Sequence, residues 1–204
     1  MTDLTASAGR GASPRCWRRP HRSGRPYGDS VYGKITTHAV VDSVLDTFRD
    51  ALGPDAVRYR NHVYRGLNYQ RMLLRLNMIP DEIALAWALH DIGIWTSGWD
   101  YIPPSLHQVD ELAPQYSIGD VDRVRQMVEF HHKLRPCTDE WVDTFRVADR
   151  IDVTRGLLRN ALTRSDIRQV VHAFPYDGFH ALLVRTAARW TTTHPLRPLP
   201  MIRW

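Results

Sequence analysis

Lysine is nearly missing from this 204-residue chain: two lysines stand against 25 arginines. We read that bias as genomic base composition rather than function. Cysteine is equally scarce. Cys16 and Cys137 are too few for a disulfide framework or a cysteine-based zinc site. No run of 18 apolar residues occurs, so no membrane insertion is expected. The stretch "MTDLTASAGRGASPRCWRRPHRSGRPYGDS" lacks the apolar segment of a secretory signal, which makes the cytoplasm the expected compartment. Strong alternation of β-branched residues is also missing, and with it the signature of a sheet.

What is present begins with an uneven charge. The net charge is +5, yet residues 1–30 hold six arginines and two aspartates, a net of +4 that leaves only +1 for the other 174. A folded core so nearly neutral is not expected to bind nucleic acid. The Gly-, Ser-, Pro- and Arg-rich residues 1–30 read as a disordered basic tail.

Nearly everything beyond residue 30 has a helical period. Helices are expected over 35–52, ended by Gly53-Pro54, then over 55–76 and 81–91. Pro80, Asp81 and Glu82 suit the start of the third, and Gly93 suits a C-terminal stop. The stretch 94–104, "IWTSGWDYIPP", reads as a loop whose Trp95, Trp99 and Tyr101 form an aromatic wall. Further helices are expected over 105–116, 119–133, 139–158, 163–173 and 177–191. The fold class is therefore all-α: one orthogonally packed helical domain over 31–194, followed by an irregular tail over 195–204. At 204 residues the chain can bury a substantial core.

Polar residues interrupt the stripes that should face that core. His90 shares a face with Ile83 and Trp87, and Asp91 follows it directly. His62 lines up with Tyr69 and Leu73, with Arg65 one turn on. His131 continues the stripe of Val124, Met127 and Val128, and His132 lies beside it. Asp149 and Asp152 continue the stripe of Val142 and Phe145, and His107 follows the aromatic loop. Each residue alone suits a hydrogen-bonded core position or a helix end. Together they suit one divalent ion, since buried imidazoles and carboxylates need partners and an ion supplies several at once.

The order His62, His90-Asp91, Asp149, in the strings "RNHVYR", "ALHDIG" and "VADRID", resembles the HD-domain superfamily over about residues 35–190. The segments "HDIGIWT", "WDYIPPS" and "FRVADRIDV" are similar to those of bacterial HD-domain phosphohydrolases in particular. The resemblance implies an all-α metalloprotein hydrolysing nucleotides or other phosphate esters. It assigns His62, His90, Asp91 and Asp149 to a first metal. In branches with two metals, His131, with His132 as its competitor, and His107 would hold the second. The cofactor would be one or two divalent transition ions, Mn, Fe, Zn, Co or Ni.

On that reading, bound water is the nucleophile and Asp91 orients it. Arg65 and then Lys133 and Arg135 are the cations for developing negative charge, and His132 shuttles a proton or contacts phosphate. Asp152 holds a ligand imidazole in the right tautomer. Ile94 and Trp95 stand where many HD phosphohydrolases carry lysine or glutamate. A second reading is therefore a di-iron HD oxygenase using O2 to cleave a C–C or C–P bond, with His62, His90, Asp91, His107, His131 and Asp149 as ligands. A third is a non-catalytic, metal-stabilised binding module. The expected partner is a small-molecule substrate, and a homo-oligomer is left open.

Overall fold

A computed structural model of the chain describes residues 33–202. The basic stretch 1–30 lies outside the described residues. Ten α-helices follow in order: α1 (Ala39–Thr47), α2 (Arg49–Leu52), α3 (Ala56–Leu74), α4 (Asp81–Leu89), α5 (Gly93–Thr96), α6 (Ile102–Leu112), α7 (Val121–Phe130), α8 (Glu140–Val153), α9 (Arg164–Ala173) and α10 (Phe179–Thr193). No strand occurs among the described residues, so the domain is all-helical there. No helix among them is long and apolar enough to cross a membrane.

The ends of these helices follow local chemistry. The Asp139 side chain accepts from the amides of Trp141 and Val142 at the start of α8. Thr163 and Asp166 close a capping box on α9. Gly53 ends α2 with φ 49°, and Pro54 continues into a short 3-10 turn. The expected single helix over 35–52 is broken at Phe48, whose φ of −98° and ψ of 12° separate α1 from α2. Beyond Val153, α8 gives way to turns in which Arg155 and Gly156 take positive φ, so it stops five residues short of the expected 158.

Residues 94–104 are not one loop. Gly93 opens the short α5, and α6 starts at Ile102 with Pro103 in its first turn. Gly93 is no left-handed cap. A Cβ there would lie 2.4 Å from the Tyr101 carbonyl oxygen, so glycine is required for the close approach of these two segments.

Helix α3 is the axis of the domain. From Asn61 to Met72 every residue is buried, polar ones included. Gly66 leaves room for the Trp87 ring, which would lie 2.1 Å from a Cβ. Trp87 Nε1 donates to Gln70 Oε1 at 2.7 Å, and Gln70 Nε2 donates to the Trp141 carbonyl at 3.0 Å. Tyr59, Trp87 and Phe145 join α3, α4 and α8 in one apolar core, and buried amides are satisfied inside it. This packing holds the ends of α4 and α7 against the middle of α3 and α8.

Candidate metal centre

Two pairs of consecutive residues leave helix ends at the same place. His90-Asp91 follows α4 and His131-His132 follows α7. Within a helix, neighbouring side chains diverge by about 100°. In the turn that ends a helix, both members of a pair can reach one site.

The same device aims two of the histidines. His90 Nδ1 donates to the Trp87 carbonyl at 2.9 Å, and His131 Nδ1 donates to the Val128 carbonyl at 2.6 Å. Each ring thus satisfies a carbonyl three residues back, at the end of its own helix, where carbonyls lack intrahelical partners. Its Nε2 is left with a lone pair pointing inward. His62, midway along α3, is oriented differently. Its Nδ1 donates to Asp152 Oδ2 at 2.7 Å. Asp152 is fully buried and is itself fixed by Arg65, whose Nε and Nη2 donate to its two oxygens at 2.6 and 2.9 Å.

The inward atoms converge. His62 Nε2 and His90 Nε2 are 3.0 Å apart. Asp91 Oδ2 lies 3.6 and 3.4 Å from them, and Asp149 Oδ1 lies 3.7 and 3.9 Å from them. The other oxygen, Asp91 Oδ1, lies 3.4 Å from His131 Nε2 and has no hydrogen-bond partner although buried. His132 Nδ1 faces Asp149 Oδ2 at 3.8 Å. Two cation-sized groups therefore share Asp91: His62, His90 and Asp91, and Asp91, His131 and His132, each with ligand atoms within 4.8 Å of one another.

The donor set fits a divalent transition ion. With both Nδ1 atoms donating outward, the Nε2 lone pairs of His62 and His90 face each other and cannot hydrogen-bond without an extra proton. Two ligands about 2.0–2.2 Å from one ion stand about 3.0–3.5 Å apart, close to the spacing seen here. The electrostatics point the same way. Burial lowers His62, but hydrogen bonds and charge from Asp152 and Asp91 more than reverse this and raise it to about 9. Burial takes His90 down to about 3, and pushes the Asp149 carboxyl up to about 6. Burial would raise Asp91 too, yet His90, His131 and His62 hold it well below the usual carboxylate range. The group draws in positive charge, and one or two divalent transition ions can bind in it.

Other residues read from the sequence lie elsewhere. His107 is on the outer surface, two-thirds exposed, 3.2 Å from Glu111 one turn along α6. It is not among the converging groups, and His132 is the fourth imidazole in its stead. Arg65 is fully buried, and its Nη1 donates to the Phe174 and Pro175 carbonyls at 3.1 and 2.9 Å. It buttresses Asp152, and all three of its guanidinium nitrogens are committed to protein acceptors. The Lys133 ammonium lies over the Phe130 ring, 5.0 Å from its centroid. Arg135 is exposed.

The aromatic wall is divided. Trp95 packs on Tyr59 and donates to Asp55 Oδ2 at 3.0 Å, while Trp99 joins a separate small cluster with Tyr101, Ile102 and Met201. Only the Tyr101 hydroxyl meets the centre, 2.5 Å from His132 Nε2 and 3.4 Å from His131 Nε2. Whichever member of the Tyr101–His132 pair donates, His132 Nδ1 remains turned toward Asp149.

A pocket of about 130 Å³ meets the centre at His131, His132 and Asp149. Its other lining residues are Arg150, Leu134, Val153 and Ile202. Arg150 makes one hydrogen bond, from Nη2 to the Lys133 carbonyl at 3.1 Å, and no ion pair among the described residues. A half-buried guanidinium with free donors beside imidazoles and a carboxylate is a feature of an anion site.

No family model, no curated protein and no solved structure matches the chain.

Proposed function

We propose that this chain is an HD-domain metalloenzyme that hydrolyses a small phosphate ester with metal-activated water. One observation carries the reading: three imidazoles pinned by their outer nitrogens aim their inner ones at Asp91, whose second oxygen is buried and without a hydrogen bond, beside a pocket holding a guanidinium with donors to spare. His62, His90, Asp91 and Asp149 would hold the ion, with His131 beside Asp91 for a second, and such an ion would supply a lowered pKa for bound water and polarisation of a phosphoryl oxygen.

The chain supplies the rest. Asp152 and Arg65 keep His62 in the tautomer that presents Nε2. Asp91 reaches both groups, one oxygen to each, which fixes their relative position. Arg150 neutralises the ester anion, in the role that sequence spacing gives to Arg65 or Lys133. His132, between Tyr101 and Asp149, contacts a phosphoryl oxygen.

The test is a screen of phosphate monoesters and nucleotides with metal-loaded protein, alongside Asp91→Asn. Turnover that disappears in the variant is the expected result. Full turnover by Asp91→Asn contradicts the mechanism.

A second reading has its own support. His62, His90, His131 and His132 with Asp91 and Asp149 make four histidines and two aspartates. That is the composition of a di-iron HD oxygenase, with His132 in place of His107. Two irons per chain and an O2-dependent absorption change would favour it over the hydrolase.

A further inference from the structure

The segment after α10 is not a loose end. Trp99 Nε1 donates to the Pro198 carbonyl at 3.2 Å, and Trp190 Nε1 donates to the Arg197 carbonyl at 2.8 Å. Arg197 pairs with Asp100 at 3.4 Å. Met201 is buried against Trp99, Tyr101 and Ile102. This seats the next residue, Ile202, at the pocket that meets His131, His132 and Asp149. The C-terminal segment is thus fixed at two tryptophans, an ion pair and a buried methionine, and its Ile202 lines the pocket at the candidate site.

The pocket it helps to line has two kinds of surface. Arg150 offers free N–H donors, with His132 beside it. Leu134, Val153 and Ile202 come from three separate segments and offer only hydrocarbon. At about 130 Å³ the space is well below the roughly 300–1,000 Å³ of sites that enclose drug-sized ligands. A nucleoside would have to extend beyond it into solvent past Ile202. A phosphoryl group with a short alkyl substituent suits it in charge and in size.

We propose that residues 197–202 form the specificity wall of this centre, with Ile202 restricting the site to a small anion bearing a short alkyl group and Arg150 binding the anion. The assignment rests on the metalloenzyme reading for the orientation of the anion toward the histidines. Its consequence is steric. Shortening Ile202 extends the pocket outward without touching a ligand histidine or aspartate.

The test uses two non-hydrolysable probes, ethylphosphonate and phenylphosphonate, titrated calorimetrically into the full chain loaded with Mn²⁺. Wild type is expected to bind ethylphosphonate and to bind phenylphosphonate more weakly by about tenfold or more, since a ring must displace Ile202 to keep its phosphonate on Arg150. Ile202→Gly should remove that difference. Arg150→Gln should weaken both probes by about tenfold or more through loss of a charge-assisted hydrogen bond. Leu196→Ala, at a fully solvated position of the same segment, should change neither. Equal discrimination by wild type and Ile202→Gly overturns the specificity wall, and unaltered binding by Arg150→Gln overturns the anion assignment. Manganese content of the same samples separates these failures from that of the underlying reading. A folded wild-type chain that retains no metal contradicts the metalloenzyme itself.

Discussion

Two arginines flank the same centre and differ in every respect that matters. Arg65 is wholly buried, its Nε, Nη1 and Nη2 all donating, to the two Asp152 oxygens and two backbone carbonyls. Arg150 is half-buried, makes one hydrogen bond, and lines the pocket. The first belongs to a sealed wall that fixes His62, and the second to an open wall that faces a ligand. A cation near a metal cluster is therefore not by itself a substrate contact. The number of donors already committed decides which it is.

Substitutions should separate the two walls, and the largest effect is expected at Arg65. Arg65→Ala leaves the Asp152 carboxylate buried without its main partner, which costs about 3–5 kcal/mol of stability. Denaturant unfolding checks it, and a loss within about 0.5 kcal/mol, the usual range for surface changes, would remove the sealed wall from the account. Asp152→Asn keeps the shape but weakens the hold on the His62 tautomer. Metal affinity should fall by about 10–100-fold, measured by competition with a chelating dye. Gly93→Ala tests the join between the walls, since the added methyl meets the Tyr101 carbonyl and Tyr101 reaches His132. A loss of about 1–3 kcal/mol is expected from overpacking, with thermal unfolding as the readout. The smallest effect belongs to His107→Ala. Its exposed side chain meets only Glu111 among the described residues, so metal content should stay unchanged and stability should move by about 0.5 kcal/mol or less.

The sealed wall was more legible in the sequence than the open one, for a physical reason. His62, Arg65 and Asp152 lie on long helices, where the 3.6-residue period relates neighbours on one face. His90-Asp91 and the His131-His132 pair stood out because polar groups ended apolar stripes. The choice between His131 and His132 was not legible, because both leave α7 in a turn where helical spacing no longer applies. His107 fell between the other motifs in chain order, but its side chain projects from the outer face of α6, and order along the chain says nothing about that. Gly93 resembled a helix stop because glycine commonly ends helices. Its actual constraint, contact with the Tyr101 carbonyl, arises between segments eight residues apart. Arg150 and Ile202 share a pocket only through the tertiary path of α8 and the C-terminal segment, Tyr101 reaches His132 only through the start of α6, and no local pattern marks either meeting.

The proposed shared partner of the inward-facing nitrogens and oxygens is a cation. Elemental analysis of protein purified without added metal, then dialysed against Mn²⁺ or Zn²⁺, measures this directly. Wild type and His107→Ala should each retain one or two divalent transition ions per chain, and His62→Ala and Asp91→Asn should lose them while remaining folded by circular dichroism. A folded wild-type chain that retains no ion, or an Asp91→Asn variant that retains as many as wild type, would contradict it.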